Sequence, residues 1–265
     1  MAKAYRVTTA DKEPIRTGVG PKLELRHHAH SRALFLYHTF KLLCRELLTI
    51  GIFTRLTCFS ATSILKSKMD AVRTFIAIEL PGWMQNRLAE VIKRLKKLGA
   101  TGVRWMPSHN IHLTLKFLGE ISPANLETLS SLIRAEASRQ DPFEVSVSGL
   151  GTFPNSRRPR VIWVGVQAPP ALSTLQANIE AETRRLGYAA EERGFSPHLT
   201  LGRVLQNASN QEIQRIGEIL TTADVKELGR VTVESITLFR SDLQPSGSIY
   251  TPLSTAQFAH QRGEL

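Results

Sequence analysis

The tetrapeptide HLTL occurs twice in the chain, at 112–115 and at 198–201. Around each copy the hydrophobic pattern predicts the same order of elements: strand, helix, HLTL strand, helix, strand. A whole supersecondary unit that recurs after 86 residues indicates an internal duplication. We therefore predict an α+β fold of two lobes related by a pseudo-two-fold axis. Each lobe has an antiparallel-type sheet with helices on its outer side, and the two HLTL strands face each other across a central cleft.

The periodicity also places the individual elements. Helices are expected before Gly99 and Gly187, after an N-cap at Ser122 with Pro123 in the first turn, and after a capping box of Ser209 and Glu212. Strands are expected at Val72–Leu80, Ile111–Leu118, Phe143–Leu150, Val161–Val166, around His198–Leu201, at Val231–Phe239, and as a short last strand at Ile249–Leu253.

Charge is concentrated before Met69. The whole chain of 265 residues has a net charge of +11, of which residues 1–68 hold +8, with 12 Lys/Arg against 4 Asp/Glu. Residues 69–265 hold only +3, with 22 basic against 19 acidic residues. The high overall pI therefore does not by itself mark the body of the protein as a nucleic-acid binder.

Residues 1–68 do not have the pattern of a folded domain. They contain no 18-residue apolar span, so a transmembrane helix is not predicted. Their Arg-rich, acid-poor composition faintly resembles a transit segment. An extension from an upstream start codon, with Met69 as the working start, and a disordered basic tail are the alternatives. The predicted domains are thus an extension at 1–68 and a two-lobed domain at 69–265.

The HLTL strands carry the chemistry. Residues two apart on a strand share a face, so each copy presents one histidine and one threonine, His112 with Thr114 and His198 with Thr200. One neutral imidazole can take a proton from an attacking oxygen while a second, protonated imidazole gives one to a leaving oxygen. Two hydroxyls can donate hydrogen bonds to oxygens that gain charge. This set suits displacement at phosphorus.

A metal or thiol site is not predicted. Both cysteines, Cys44 and Cys58, precede Met69, so the predicted two-lobed domain has no thiol chemistry, no disulfide and no cysteine metal ligand. Only two imidazoles converge in the predicted cleft, and no carboxylate lies at ligand spacing. We therefore expect no cofactor and no metal.

Four segments resemble the two-histidine phosphoesterases, most closely the LigT-like RNA 2′,3′-cyclic phosphodiesterases, also called 2′-5′ RNA ligases. The segments are RTFIAIELP at Arg73–Pro81, NIHLTLKFLGE at Asn110–Glu120, FSPHLTLGR at Phe195–Arg203 and YTPL at Tyr250–Leu253. The second and third contain the HxTx motifs of that family. The resemblance covers nearly all of the chain after Met69 and none of it before.

The resemblance implies a metal-independent enzyme that opens a terminal 2′,3′-cyclic phosphate on RNA to a 2′-phosphate, with 2′-5′ joining as the reverse reaction. His112 would protonate the leaving 3′ oxygen, His198 would activate water, and Thr114 and Thr200 would hold phosphate oxygens. The family likeness also implies a cytoplasmic protein whose partner is RNA with a cyclic phosphate end. We expect a monomer without an obligate protein partner.

Four further residues are candidates for substrate binding. Arg203 is a candidate for bidentate phosphate contact, and Phe195 for stacking on a base. Lys116 is expected on the face of His112 and Thr114. Tyr250 is a candidate for the same kind of contact as Phe195. For both Phe195 and Tyr250 the alternative is that the side chain packs in the hydrophobic core.

Two other functions remain open from the sequence. One is a nucleotide- or RNA-binding module that keeps the cleft without turnover. The other is a phosphodiesterase for a different small cyclic phosphodiester or for 2′-5′ linked nucleotides.

Overall fold

The computed structural model describes residues 71–244 and 247–259. The extension at 1–68 and the predicted domain boundary at Met69 lie outside the described residues. Within the described ranges the helices are α1 (Gly82–Lys97), α2 (Leu126–Ala137), α3 (Pro170–Arg185) and α4 (Asn210–Thr222). The strands are β1 (Val72–Ile78), β2 (Val103–Trp105), β3 (Leu113–Ile121), β4 (Phe143–Phe153), β5 (Val161–Gln167), β6 (His198–Val204), β7 (Gly229–Val233), β8 (Ser235–Gln244) and β9 (Gly247–Gln257).

All nine strands belong to one antiparallel sheet, which confirms the predicted α+β class. Its order is β7-β4-β5-β6-β3-β1-β8-β9, and the short β2 also pairs with β6. The order is symmetric about the contact between β6 and β3. Thus β5 beside β6 corresponds to β1 beside β3, and the pair β4 and β7 corresponds to β8 and β9. This symmetry is the structural counterpart of the sequence repeat.

The segment Val231–Phe239, which was predicted to be one strand, has a different structure. The structure divides this segment at Glu234 into β7, which pairs with β4, and β8, which pairs with β1 in the other half of the sheet. The prediction of a single strand was therefore wrong, because two consecutive apolar segments form separate strands in opposite halves of the sheet. The predicted short last strand is the 11-residue β9.

The two HLTL strands do not face each other across a gap. β3 and β6 lie side by side in the sheet and pair through Leu113 and Leu199. The lobes are thus two halves of one continuous sheet, with the repeated motifs at their junction. The duplication is correct, and only the expected placement of the two strands changes.

The two faces of the sheet have different surroundings. One face packs against the helices in the main hydrophobic core, which includes Leu113 and Leu199 with exposed fractions of 2% and 0%. The other face, which we call the histidine face, carries a small separate cluster of Phe75, Ala77 and Phe239. A site on the histidine face is therefore formed by strand side chains alone.

The helix starts test two capping predictions. Ser209 and Glu212 form the predicted capping box at the start of α4, so that prediction is confirmed. Ser122 makes no side-chain capping bond, and Pro123 opens a short 3₁₀ turn before α2. No helix within the described residues is long and apolar enough to span a membrane.

Candidate active site

Both HLTL strands contain the same irregularity. In β3, Ala77 of β1 pairs with Thr114 while Ile76 pairs with Lys116, so Leu115 is an extra residue. In β6, Trp163 of β5 pairs with Thr200 while Ile162 pairs with Gly202, so Leu201 is extra. A bulge of this kind re-aims the side chains that follow it. The two motifs are therefore alike in backbone geometry as well as in sequence.

The histidine face brings the four predicted catalytic side chains together. Leu113 and Leu199 are directly paired and point into the core, so the neighbouring residues of both strands point to the opposite face. Because the strands are antiparallel, each histidine lies beside the threonine of the other motif. His112 and His198 are then diagonal neighbours across the two strands. Diagonal neighbours have α-carbons about 7–8 Å apart, a separation from which two imidazoles can reach one phosphate.

A backbone carbonyl two residues earlier in the chain holds each histidine. Nδ1 of His112 is 2.8 Å from the Asn110 carbonyl oxygen, and Nδ1 of His198 is 2.7 Å from that of Ser196. A carbonyl only accepts hydrogen bonds, so Nδ1 carries the proton in both rings. In both rings Nε2 is therefore the atom left to accept a proton, and after protonation it is the atom that can donate one.

Aromatic side chains enclose His112. Phe75 stacks on its ring with centroids 4.6 Å apart, and Tyr250 meets the ring edge-on at 5.1 Å. Phe239 stacks on Phe75 at 5.1 Å. These contacts come from β1, β8 and β9, and they fix the ring plane while removing water from one side of it.

His198 has a different set of neighbours. Phe153 meets its ring edge-on at 5.0 Å, and Trp163 lies 6.3 Å away at a tilt of 55°. These rings come from β4 and β5, in the other half of the sheet from the strands around His112. The two histidines thus share a hydrogen-bonding arrangement at Nδ1 but differ in the aromatic rings around them.

Burial lowers the pKa of His112 from 6.5 to about 4, against the opposing effect of the bond to the Asn110 carbonyl. In the free protein the ring is therefore neutral at neutral pH. The unfolded chain binds this proton near pH 6.5 and the folded protein only near pH 4, so stability falls as the pH drops through that range.

We expect this ring to remove up to about 3 kcal/mol of stability between pH 7 and pH 4. Denaturant unfolding at both pH values, on the wild type and on His112→Phe, measures it. The variant keeps an aromatic ring without the titration, so its stability should fall less. Equal losses in the two proteins would show that His112 does not have a lowered pKa.

Lys116 does not lie on the histidine face. The bulge at Leu115 turns it toward the helices, where it is 4% exposed. Its Nζ lies 2.8 and 2.9 Å from the carboxylate oxygens of Glu180 and 2.6 Å from the Ala189 carbonyl oxygen. The expected face was wrong because residues two apart share a face only in a strand without a bulge.

The other three binding candidates have separate positions. Arg203 is exposed and pairs with Val161 of β5. Tyr250 packs on the Phe75 cluster beside His112. Phe195 is half-buried against the main core, the alternative that the sequence left open for it.

Asn110 is a site residue that the sequence analysis did not single out. Its carbonyl accepts the bond from His112, and its side-chain Nδ2 donates to the Ser248 carbonyl of β9 at 2.8 Å. It therefore ties the backbone that holds His112 to the strand that supplies Tyr250. The asparagine in NIHLTL was the only sequence signal, and its partner on β9 is 138 residues away.

Gly151 leaves room for Trp163 beside His198. A Cβ at position 151 would lie 2.2 Å from the indole ring, and no unusual φ accompanies the glycine. We expect Gly151→Ala to displace Trp163 and to cost about 1–3 kcal/mol of stability. Thermal denaturation measures it, with Gly82→Ala as the control because nothing lies within 4 Å of that Cβ. An unchanged melting temperature for Gly151→Ala would contradict this packing.

Within residues 71–244 and 247–259, no group of three or more His, Cys, Asp or Glu side chains is arranged to hold a metal ion.

Comparison with known families agrees with this geometry. Residues 78–163 and 164–250 each match the family of LigT-like phosphoesterases. The chain belongs to that family. The two consecutive matches also confirm the internal duplication, since each contains one HxTx motif.

Two curated relatives of the LigT-like family are similar over nearly their whole length. The RNA 2′,3′-cyclic phosphodiesterase of Methanothermobacter thermautotrophicus is 34% identical over 182 residues, which are 69% of this chain and 96% of that protein. The protein of the same name from Thermotoga maritima is 32% identical over 187 residues, 71% and 96% of the two chains.

Solved structures of the family share the fold. E. coli LigT complexed with 3′-AMP has a TM-score of 0.57 and 28% identity, covering 72% of this chain and 99% of its own. TT0787 of Thermus thermophilus has a TM-score of 0.61 and 27% identity, covering 71% and 99%.

Proposed function

We propose that this LigT-like protein hydrolyses the terminal 2′,3′-cyclic phosphate of RNA to a 2′-phosphomonoester. The observation that carries the proposal is the convergence of two histidines, each with its Nδ1 proton on a backbone carbonyl, on one face of the sheet. The names of the M. thermautotrophicus and T. maritima relatives support the substrate class.

The proposed reaction needs two proton transfers at one phosphorus. His198 Nε2 takes a proton from water, whose oxygen forms a bond to phosphorus. The bond from phosphorus to the 3′ oxygen breaks, and His112 Nε2–H gives its proton to that oxygen. Thr114 and Thr200 donate hydrogen bonds to the non-bridging oxygens, whose charge grows in the transition state. No step requires a metal. When a 5′ hydroxyl attacks phosphorus in place of water, the same two proton transfers release the 3′ oxygen and leave a 2′-5′ phosphodiester.

The lowered pKa of His112 bears on these roles. A neutral ring cannot act as an acid, so His112 must gain its proton when the anionic phosphate binds nearby and favours the imidazolium. The same lowered pKa favours the interchanged roles, with His112 as base. For a substrate bound in one orientation, the product separates the two: a 2′-phosphate fits the proposed roles, and a 3′-phosphate alone fits the interchange.

The activity is tested with an oligoribonucleotide that ends in a 2′,3′-cyclic phosphate, in buffer containing EDTA. We expect a 2′-phosphate product. Tight nucleotide binding without turnover from pH 5 to pH 8 would instead indicate a binding module. Turnover confined to 2′-5′ linked or other small cyclic phosphodiesters would reassign the substrate. The cytoplasmic location and monomeric state are part of the proposal.

A further inference from the structure

Two arginines lie directly opposite each other in the sheet near the proposed site. Arg104 of β2 pairs with Arg203 of β6, and both side chains are exposed. Like charges directly opposite on neighbouring strands destabilise a sheet. Among the described residues, no carboxylate lies within 4.0 Å of either guanidinium. The fold thus tolerates a repulsion that an anionic ligand would relieve.

Strand register places this pair on the histidine face. Arg203 is opposite Val161 and Thr200 is opposite Trp163, and these two β5 residues are two positions apart in an uninterrupted stretch of that strand. Arg203 therefore shares the face of Thr200, three residues further along β6. At a rise of about 3.3 Å per residue, their α-carbons are at most about 10 Å apart. Arg104 shares this face because it is directly paired with Arg203.

Basic residues continue beyond the pair in the same direction. Arg160 immediately precedes Val161, and its carbonyl accepts a hydrogen bond from the Val204 amide at 3.0 Å. Arg160 is exposed, as are Arg157 and Arg158. These residues and α4 line a groove of about 730 Å³. Since α4 packs on the core face of the sheet, this groove lies on the other side of the sheet from the histidines and is separate from the Arg104–Arg203 pair.

We propose that Arg104, together with Arg203, binds the phosphodiester that joins the terminal nucleotide to the one before it. The inference rests on the proposed function and specifies its substrate class. The protein would act on cyclic phosphates at the ends of polynucleotides in preference to mononucleotide cyclic phosphates. Two guanidinium groups side by side can surround one phosphate with bidentate hydrogen bonds. Arg104 is then a specificity-determining residue.

The test compares Arg104→Gln with the wild type on a cyclic-phosphate oligoribonucleotide and on the matching mononucleotide 2′,3′-cyclic phosphate. We expect the ratio of kcat/KM for the oligonucleotide to that for the mononucleotide to fall at least about tenfold, the usual effect of a lost charged hydrogen bond. The salt dependence of oligonucleotide binding should weaken by about one phosphate contact. Arg184→Gln, an exposed arginine on α3, is the control and should leave the ratio unchanged.

A substrate with a neutral methylphosphonate in place of the last internucleotide phosphate tests independently whether Arg104 acts on the charge of that phosphate. On that substrate Arg104→Gln and the wild type should have equal kcat/KM values. The proposal is wrong if Arg104→Gln changes turnover of both natural substrates equally, if it changes neither, or if the deficit persists on the neutral substrate. Failure of the proposed function has a different signature, since the wild type would then turn over neither cyclic phosphate.

Discussion

His198→Ala and His112→Ala should each lower kcat for opening of the cyclic phosphate about 10²–10⁴-fold, because each removes one proton transfer. Both side chains are half-buried on the histidine face and stand outside the main core. The fold should therefore survive either change. Single-turnover assays in EDTA give the rates, and circular dichroism with thermal melting shows that each variant is folded.

A third histidine supplies the control for these variants. His109 is exposed in the short 3₁₀ turn that precedes His112, and it lies outside the paired motif strands. His109→Ala should keep wild-type activity. Full activity in a folded His112→Ala or His198→Ala protein would reject two-histidine catalysis. A similar loss in His109→Ala would show that alanine variants in this segment act through the fold.

Lys116→Met should destabilise the protein by about 3–5 kcal/mol, because it leaves the Glu180 carboxylate without its cation in a mostly buried position. The side chains of this ion pair are only 3% and 21% exposed. Glu180 also accepts a hydrogen bond from the Glu191 amide at 3.0 Å. The pair thus joins β3, α3 and the loop that leads to His198. Urea unfolding of the variant and the wild type gives the difference.

Two further proteins separate burial from charge pairing. The double variant Lys116→Met with Glu180→Met should recover much of the lost stability, since an apolar pair carries no unpaired charge. Lys93→Met removes an exposed ion pair with Glu90 and should cost no more than about 1 kcal/mol. If Lys116→Met is no less stable than Lys93→Met, the buried ion pair contributes no more to the free energy of unfolding than the exposed one.

Local patterns in the sequence predict the elements of this fold and the position of the repeated motif. Alternation and helical spacing locate β1, β3, β5 and the four helices, and the repeated HLTL identifies the two histidines. The capping box at Ser209 is likewise a short-range signal with a physical cause. These predictions succeed because each depends on residues close together in the chain.

What the sequence could not supply depends on pairing between distant strands. The bulge at Leu115 is defined by how β3 pairs with β1. The alternation of polar and apolar residues along β3 alone therefore could not predict that Lys116 is buried. Three-residue β2 has too little pattern to be recognised, and Arg104 was missed with it. The aromatic rings around His112 come from strands far apart in the sequence, so its lowered pKa has no local signal.

The division of labour between the two histidines is tested most directly with a substrate whose leaving atom needs no proton. A 2′,3′-cyclic phosphorothiolate with sulfur at the 3′ position expels a thiolate, which is a much weaker base than an alkoxide and leaves without being protonated. We expect this substrate to restore most of the activity of His112→Ala and none of that of His198→Ala. Rescue of His198→Ala instead, or of neither variant, would contradict the assignment of His112 as the acid.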